Sequence, residues 1–177
     1  MVRRGTVAIG VLVAVLAIVP GVSSAQATPS ATTNGASGDT RVLAGNHIIN
    51  RNSGKCLVAR DSAPGTGAVQ TPCASFADQN WVLVSEIGGW WQIKNAYTNL
   101  CLRAPGGIEQ QIRDASCDIS SGIGVDWSID AIGGGYSRIF SRSTGGCLVV
   151  RGTANEAAVV TTGCNTGFID QHWYLPG

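Results

Sequence analysis

Charge is scarce in this sequence. Asp, Glu, Lys and Arg make up 13% of 177 residues and nearly cancel, for a formal net charge of +1. That excludes the basic surface a nucleic-acid partner requires and the charged faces of a coiled coil. After Val19 no run is apolar enough to span a bilayer, which excludes a polytopic membrane protein. Helical periodicity is also missing beyond that point. Histidine occurs twice, and no Cys-x2-Cys spacing occurs, so the usual zinc-binding patterns are absent. Glycine, by contrast, is abundant at 24 residues, and six cysteines stand in the chain, a high number for a cytosolic protein and an ordinary one for an exported protein.

The first forty residues read as separate from the fold. Arg3 and Arg4 precede thirteen residues without a polar side chain, Val7 to Val19, and Ala25-Gln26-Ala27 follows after Pro20. Positive start, apolar run and small-residue site form the pattern of a secretory signal peptide. Thirteen helical residues reach only about 20 Å, short of the roughly 30 Å hydrocarbon core. Cleavage after Ala25 or Ala27 fits, with Ala27 favoured, so residues 1–27 are expected to be removed by general secretion. Residues 28–40, rich in Ser, Thr, Ala and Gly, are expected to be a flexible lead-in. Loss of Arg3 and Arg4 leaves ten basic residues against eleven acidic, a mature charge of −1. The mature product is therefore expected outside the cell, off the membrane and without nucleic acid.

Residues 41–177 are one unit written three times. Trp81, Trp127 and Trp173 are spaced 46 and 46. Cys56, Cys101 and Cys147 are spaced 45 and 46, and Cys73, Cys117 and Cys164 follow them by 17, 16 and 17. Ile48, Ile93 and Ile139 stand eight residues before the first Cys of each unit, and Leu57, Leu102 and Leu148 directly after it. Gly54, Asn99 and Gly145, two before the Cys, tolerate a left-handed backbone and mark a recurring tight turn. Internal periodicity of this kind sets the architecture. The units run approximately 41–87, 88–132 and 133–177.

Each unit reads as several short strands separated by Gly/Asn/Ser/Pro turns. In the second they are expected near Trp91–Asn95, Leu100–Ala104, Gln111–Ala115 and Trp127–Asp130, with Gly88-Gly89 and Gly133-Gly134-Gly135 in hairpins between units. Three units of 46 residues suit a compact threefold all-β body better than a propeller, which usually closes with four or more blades. Six cysteines allow fifteen pairings, which spacing alone does not resolve. Equivalence of the units selects Cys56–Cys73, Cys101–Cys117 and Cys147–Cys164. Trp81, Trp127 and Trp173 are expected in the core. Trp90 and Trp91 are adjacent, so in a strand they point to opposite faces and only one can face the core; the other is expected to cap the hairpin against the barrel base, with exposure to a sugar or a partner as the alternative.

Gly54-Lys55-Cys56-Leu57, then Cys73, then Gln79-Asn80-Trp81 resembles one unit of a ricin-type β-trefoil lectin domain, whose repeats close on Gln-x-Trp. The third unit has Gln171-His172-Trp173, and the second has Val125-Asp126-Trp127 without the Gln. The resemblance spans about Arg41 to Gly177. It implies a six-stranded barrel capped by three hairpins and a carbohydrate partner, a glycan or polysaccharide. It also implies a sugar-accepting Asp two residues after the first Cys, but Val58, Arg103 and Val149 stand there. Val has no acceptor and Arg only donates. The family aromatic two before the second Cys is likewise replaced, by Thr71, Ala115 and Thr162.

The remaining candidates for carbohydrate binding are Asp61, Gln70, Asp78, Gln79, Asp170 and Gln171. For Gln79 and Gln171 a purely structural role competes, because a buried amide must be satisfied. Asp61 competes with a solvated loop charge beside Arg60. Catalysis is not expected: His47 and His172 lie in different repeats, no nucleophile motif surrounds them, and no cofactor or metal is implied. Two functions follow: a monomeric, secreted, lectin-like protein with degenerate sugar sites, or a secreted protein-binding trefoil, an inhibitor or toxin-associated subunit, working through its loops.

Overall fold

The computed structural model describes residues 42–118 and 122–175. The signal peptide read over residues 1–27, its cleavage point and the lead-in 28–40 lie outside the described residues. The strands are β1 Val42–His47, β2 Ile49–Asn50, β3 Cys56–Val58, β4 Val69–Thr71, β5 Asn80–Ser85, β6 Trp91–Asn95, β7 Cys101–Arg103, β8 Arg113–Ala115, β9 Trp127–Gly133, β10 Tyr136–Ser141, β11 Cys147–Val150, β12 Val159–Thr162 and β13 Trp173–Tyr174. Single 3-10 turns at Ala77–Gln79, Ile123–Val125 and Ile169–Gln171 are the helical elements among the described residues.

Antiparallel pairing runs β1–β5–β6–β9–β10–β13 and returns from β13 to β2, the continuation of β1 past Ile48. The circuit closes into a six-stranded barrel, which removes the exposed edges an open sheet would leave. The hairpins β3–β4, β7–β8 and β11–β12 cap it. Three four-strand units arranged this way form a β-trefoil.

The repeated apolar positions make the core. Trp81, Trp127 and Trp173, Ile48, Ile93 and Ile139, and Leu57, Leu102 and Leu148 are all buried. Each indole has one polar atom, and each finds the same partner: Trp81, Trp127 and Trp173 donate from Nε1 to the carbonyls of Leu57, Leu102 and Leu148, every bond 2.9 Å. The last strand of a repeat is thus tied to the first hairpin strand of the same repeat.

On the axis the repeats are tied to one another. Ala68 N–H donates to the Ile112 carbonyl at 2.7 Å, Ile112 to Val159 at 2.8 Å, and Val159 back to Ala68 at 3.0 Å. The cycle leaves none of these buried backbone groups unpaired. It also explains why the third strand of the second unit is shorter than expected. Gln111 leaves the β7–β8 hairpin and bridges Val160 of the next repeat, and regular pairing begins only at Arg113.

The turns fit their sequence. Gly54, Asn99 and Gly145 hold φ of 65°, 61° and 68°, and each amide closes onto the carbonyl of Asn50, Asn95 or Ser141. The three disulfides are Cys56–Cys73, Cys101–Cys117 and Cys147–Cys164, each with Cα atoms 5.0 Å apart. Each closes a short loop, worth about 3 kcal/mol on the loop-entropy account.

Trp90 and Trp91 are both half-buried, so neither is a core ring and neither stands fully in solvent. Trp90 is covered by the Arg142 guanidinium, 4.9 Å from the ring centroid, and that guanidinium is held by Asp126 at 2.9 Å. Trp91 sits where β6 meets β9, opposite Trp127.

Trp127→Phe keeps a ring but deletes the Nε1–H, so the buried Leu102 carbonyl loses its donor. Urea unfolding is expected to show a loss of about 2–3 kcal/mol, from the smaller buried surface plus the unsatisfied acceptor. Trp81→Phe and Trp173→Phe are expected to match it.

Candidate functional site

Two clefts repeat around the barrel. The 3-10 turn before each closing Gln-x-Trp carries Phe-x-Asp, as Phe76-Ala77-Asp78 and Phe168-Ile169-Asp170. The first cleft, 390 Å³, is lined by Arg60, Phe76, Ala77, Asp78 and Tyr97. Phe76 and Tyr97 are 65% and 62% exposed, so two rings stand in solvent beside a carboxylate. One oxygen of that carboxylate, Asp78 Oδ1, is covered and takes no hydrogen bond.

The chain places Tyr97 there through Asn95. Its Nδ2 donates to the Asp78 carbonyl at 2.8 Å, while its Oδ1 accepts the Tyr97 amide at 3.0 Å. One buried side chain therefore docks the opening turn of the second repeat onto the closing turn of the first. Asn50 does the same for the third repeat and the first. Its Nδ2 donates to the Asp170 carbonyl at 2.8 Å, and its Oδ1 accepts the Asn52 amide at 3.0 Å. Accordingly a second cleft, 360 Å³, is lined by Asn52, Arg151, Gly167, Phe168, Ile169 and Asp170. It offers an amide where the first offers Tyr97.

The other sequence candidates lie elsewhere. Gln79 is buried; its Oε1 accepts the Ala74 amide at 2.7 Å and its Nε2 donates to Thr71 Oγ1 and the Pro72 carbonyl. Gln171 is buried likewise, with Oε1 on the Asn165 amide and Nε2 on the Gly163 carbonyl. Gln70 accepts from Ser53 Oγ at 2.6 Å and donates to the carbonyls of Gly152 and Ala154, joining the first repeat to the third. Asp61 is exposed and accepts the Ala63 amide at 3.2 Å in its own loop. Of the six, only Asp78 and Asp170 line these clefts. The aromatics Phe76, Phe168 and Tyr97 were missed in the sequence, although Phe-x-Asp directly before each Gln-x-Trp motif carried the signal for two of them.

A third cleft, 440 Å³, lies between the β3–β4 loop and the β7–β8 hairpin and is lined in part by Gly65, Arg103, Pro105, Arg113 and Asp114. Arg103 and Arg113 are directly opposed across the hairpin. Arg113 Nη1 donates to the Gly65 carbonyl at 2.8 Å. The Asp114 carboxylate is buried, with Oδ1 on the Gly65 amide at 3.1 Å and Oδ2 without a partner. Burial pushes this carboxyl up from its ordinary value, against the backbone amides of Thr66 and Gly65 that pull it down; nearby Asp61 pushes it further up.

The histidines assemble no reactive group. His172 is buried, and Arg51 Nη1, which can only donate, lies 3.2 Å from its Nδ1. Nδ1 is therefore the acceptor, and Nε2 carries the proton it gives to the Thr166 carbonyl at 3.1 Å. His47 lies within 4.8 Å of the sulfurs of Cys56 and Cys73, but these are bonded to each other and offer no thiolate to a metal.

Residues 39–114 and 77–162 match the family model described as ricin-type beta-trefoil lectin domain-like. No curated protein matches the sequence. Among solved structures, the chain is similar to ThreeFoil, a designed 3-fold symmetric protein, at 21% identity and a TM-score of 0.68, covering 72% of this chain and 94% of that one. It is also similar to 1,3Gal43A, an exo-beta-1,3-galactanase from Clostridium thermocellum, at 26% identity and a TM-score of 0.64, over 74% of this chain and 29% of the enzyme. SeviL bound to asialo-GM1 saccharide aligns at 16% identity with a TM-score of 0.59, over 75% and 95% of the two chains.

Because its carboxyl is held up by burial, Asp114 contributes stability that is fully present below its ordinary pKa of 3.8 and is lost as pH rises through the folded-state value. Asp114→Asn keeps an oxygen for the Gly65 amide and cannot ionise. Thermal melts are expected to show it more stable than the parent at pH 7, with the gap closing below pH 3.8.

Proposed function

The chain belongs to the ricin-type beta-trefoil lectin domain-like family, and from that premise we propose that it is a secreted, non-catalytic carbohydrate-binding protein. Sugar is taken by the two Phe-x-Asp clefts. The observation that carries this reading is the juxtaposition of the Asp78 carboxylate with the exposed rings of Phe76 and Tyr97. A pyranose presents hydroxyls at its rim and C–H groups on its face. A carboxylate accepts the hydroxyls, and an exposed ring packs the apolar face. Arg60 adds donors to ring or hydroxyl oxygens. In the second cleft Asp170 and Phe168 of the third repeat and Asn52 of the first supply acceptor, ring and amide.

In this arrangement the acceptor comes from the 3-10 turn rather than from the strand after the first Cys, where Val58 and Val149 stand. Gln70, Gln79 and Gln171 support the clefts by holding hairpin and turn in place. Secretion accords with three disulfides, which persist in oxidising compartments. Among the described residues, no helix is long and apolar enough to cross a membrane. The second reading, a protein-binding trefoil, draws on the same Val and Arg substitutions after the first Cys.

A glycan array followed by titration calorimetry on residues 28–177 tests the assignment. Asp78→Ala and Asp170→Ala are each expected to remove one class of site, and the double variant to weaken binding of the best neutral glycan at least tenfold with an unchanged melting profile. Phe76→Ala is expected to weaken the first site several-fold. No glycan signal from the folded parent would give the protein-binding reading precedence.

A further inference from the structure

The three junctions between neighbouring repeats are equivalent in backbone and unequal in charge. Around the barrel, Glu156 of the third repeat pairs with Arg60 of the first, and Glu109 of the second with Arg151 of the third. Both glutamates sit at the same loop position, each with a positive φ, 60° and 61°. Their amides bond the equivalent carbonyls of Gln70 and Thr161. At the remaining junction the corresponding amide is that of Gly65, on the Asp114 carbonyl at 2.8 Å, and Pro105 stands in the arginine position. Neither member of the ion pair is present there.

Two other arginines have taken up the space. Arg103 and Arg113 occupy the cross-strand pair that is Val58–Val69 in the first repeat and Val149–Val160 in the third. Like charges directly opposite on a hairpin repel, so the pair is unfavourable unless an anion lies between. Among the described residues the ion pairs are Arg60–Glu156, Arg142–Asp126 and Arg151–Glu109, and neither Arg103 nor Arg113 takes part. Asp114, on the same hairpin, and Asp61, which acts on it, are two carboxylates already placed. The first is buried under the hairpin on the Gly65 amide, and the second accepts within its own loop. Arg103 also lies against Gly124, the position held by Asp78 and Asp170 in the other repeats; a Cβ there would meet Arg103 Cγ and Nε at 3.2 Å. The middle repeat has thus exchanged the acidic acceptor of its sisters for guanidinium.

We propose that the Arg103–Arg113 cleft is a third binding site with inverted charge, taking the carboxylate of an acidic saccharide, a uronate, in the place that glutamate fills at the other two junctions. The guanidinium fork matches a carboxylate, and the 440 Å³ cleft has room for the sugar that bears it. The identity of the ligand as a saccharide rests on the carbohydrate-binding reading above.

The test is calorimetric titration of residues 28–177 at pH 7 with tetragalacturonate, with its fully methyl-esterified form and with sodium acetate. The acid is expected to bind at least tenfold tighter than the ester, and to weaken several-fold between 50 and 300 mM salt. Arg103→Gln/Arg113→Gln is expected to abolish that preference, whereas Asp78→Ala/Asp170→Ala retains it; the single arginine variants, each with a partial loss, replace the double should it not fold. Equal affinity for acid and ester, or retention of the preference by the folded arginine variants, overturns the site while leaving the neutral-sugar reading to stand on its own titration. Acetate competing as well as the tetramer, carboxylate for carboxylate, overturns the saccharide assignment.

Discussion

Three backbone hydrogen bonds on the axis, from Ala68 to Ile112 to Val159 and back, are the constraint on which the rest of this structure depends. Each repeat supplies one amide and one carbonyl to the cycle, so no repeat is complete without both neighbours. A lone four-strand unit would expose sheet edges and one face of its core. Closing three of them removes the edges and buries Ile48, Ile93 and Ile139 together with the three indoles. The indole bonds to Leu57, Leu102 and Leu148 then fix each hairpin over the barrel from within its own repeat. Inter-repeat and intra-repeat ties are both made by backbone carbonyls, which leaves the outward side chains free to diverge.

Divergence is where the clefts come to differ in chemistry. Three backbone-equivalent positions offer Asp78, Gly124 and Asp170, and three neighbouring ones offer Val58, Arg103 and Val149. The same frame therefore presents acid with aromatic rings twice and paired guanidinium once. The buried asparagines Asn50 and Asn95 transmit the frame to the clefts, because each holds two turns of different repeats with one side chain. Ser141 stands in that role in the third unit, facing the closing turn of the middle one, and is too short to reach that turn in the same way; its Oγ instead meets Ser143 at 3.2 Å. Fold membership explains the frame and not the ligand, since one frame hosts many functions.

Much is legible in the sequence alone. Repeating Trp and Cys carried the threefold architecture, and the pairing of the cysteines followed from equivalence of the units. Gly54, Asn99 and Gly145 announced left-handed turns, which tolerate few other residues. Asp78 and Asp170, which line the two clefts, were legible because they precede Gln-x-Trp in both intact motifs. Tyr97 was not, since nothing near it in the chain pairs it with Asp78, nineteen residues earlier. Trp90 was placed only by its contact with Arg142, a residue of the following repeat.

By itself the sequence determined the period, the strands, the disulfides and the core, because these are set within one repeat by local spacing and by which side chains leave water. The tertiary structure alone decided which glutamate meets which arginine, which aromatics share a cleft with which carboxylate, and that Arg103 and Arg113 line a cleft without the ion pair found at the other junctions. The two ion pairs join different repeats across separations of 42 and 96 positions, which only closure of the barrel brings together. A one-dimensional pattern records what each repeat contains, and only the closed ring determines what faces it from the next.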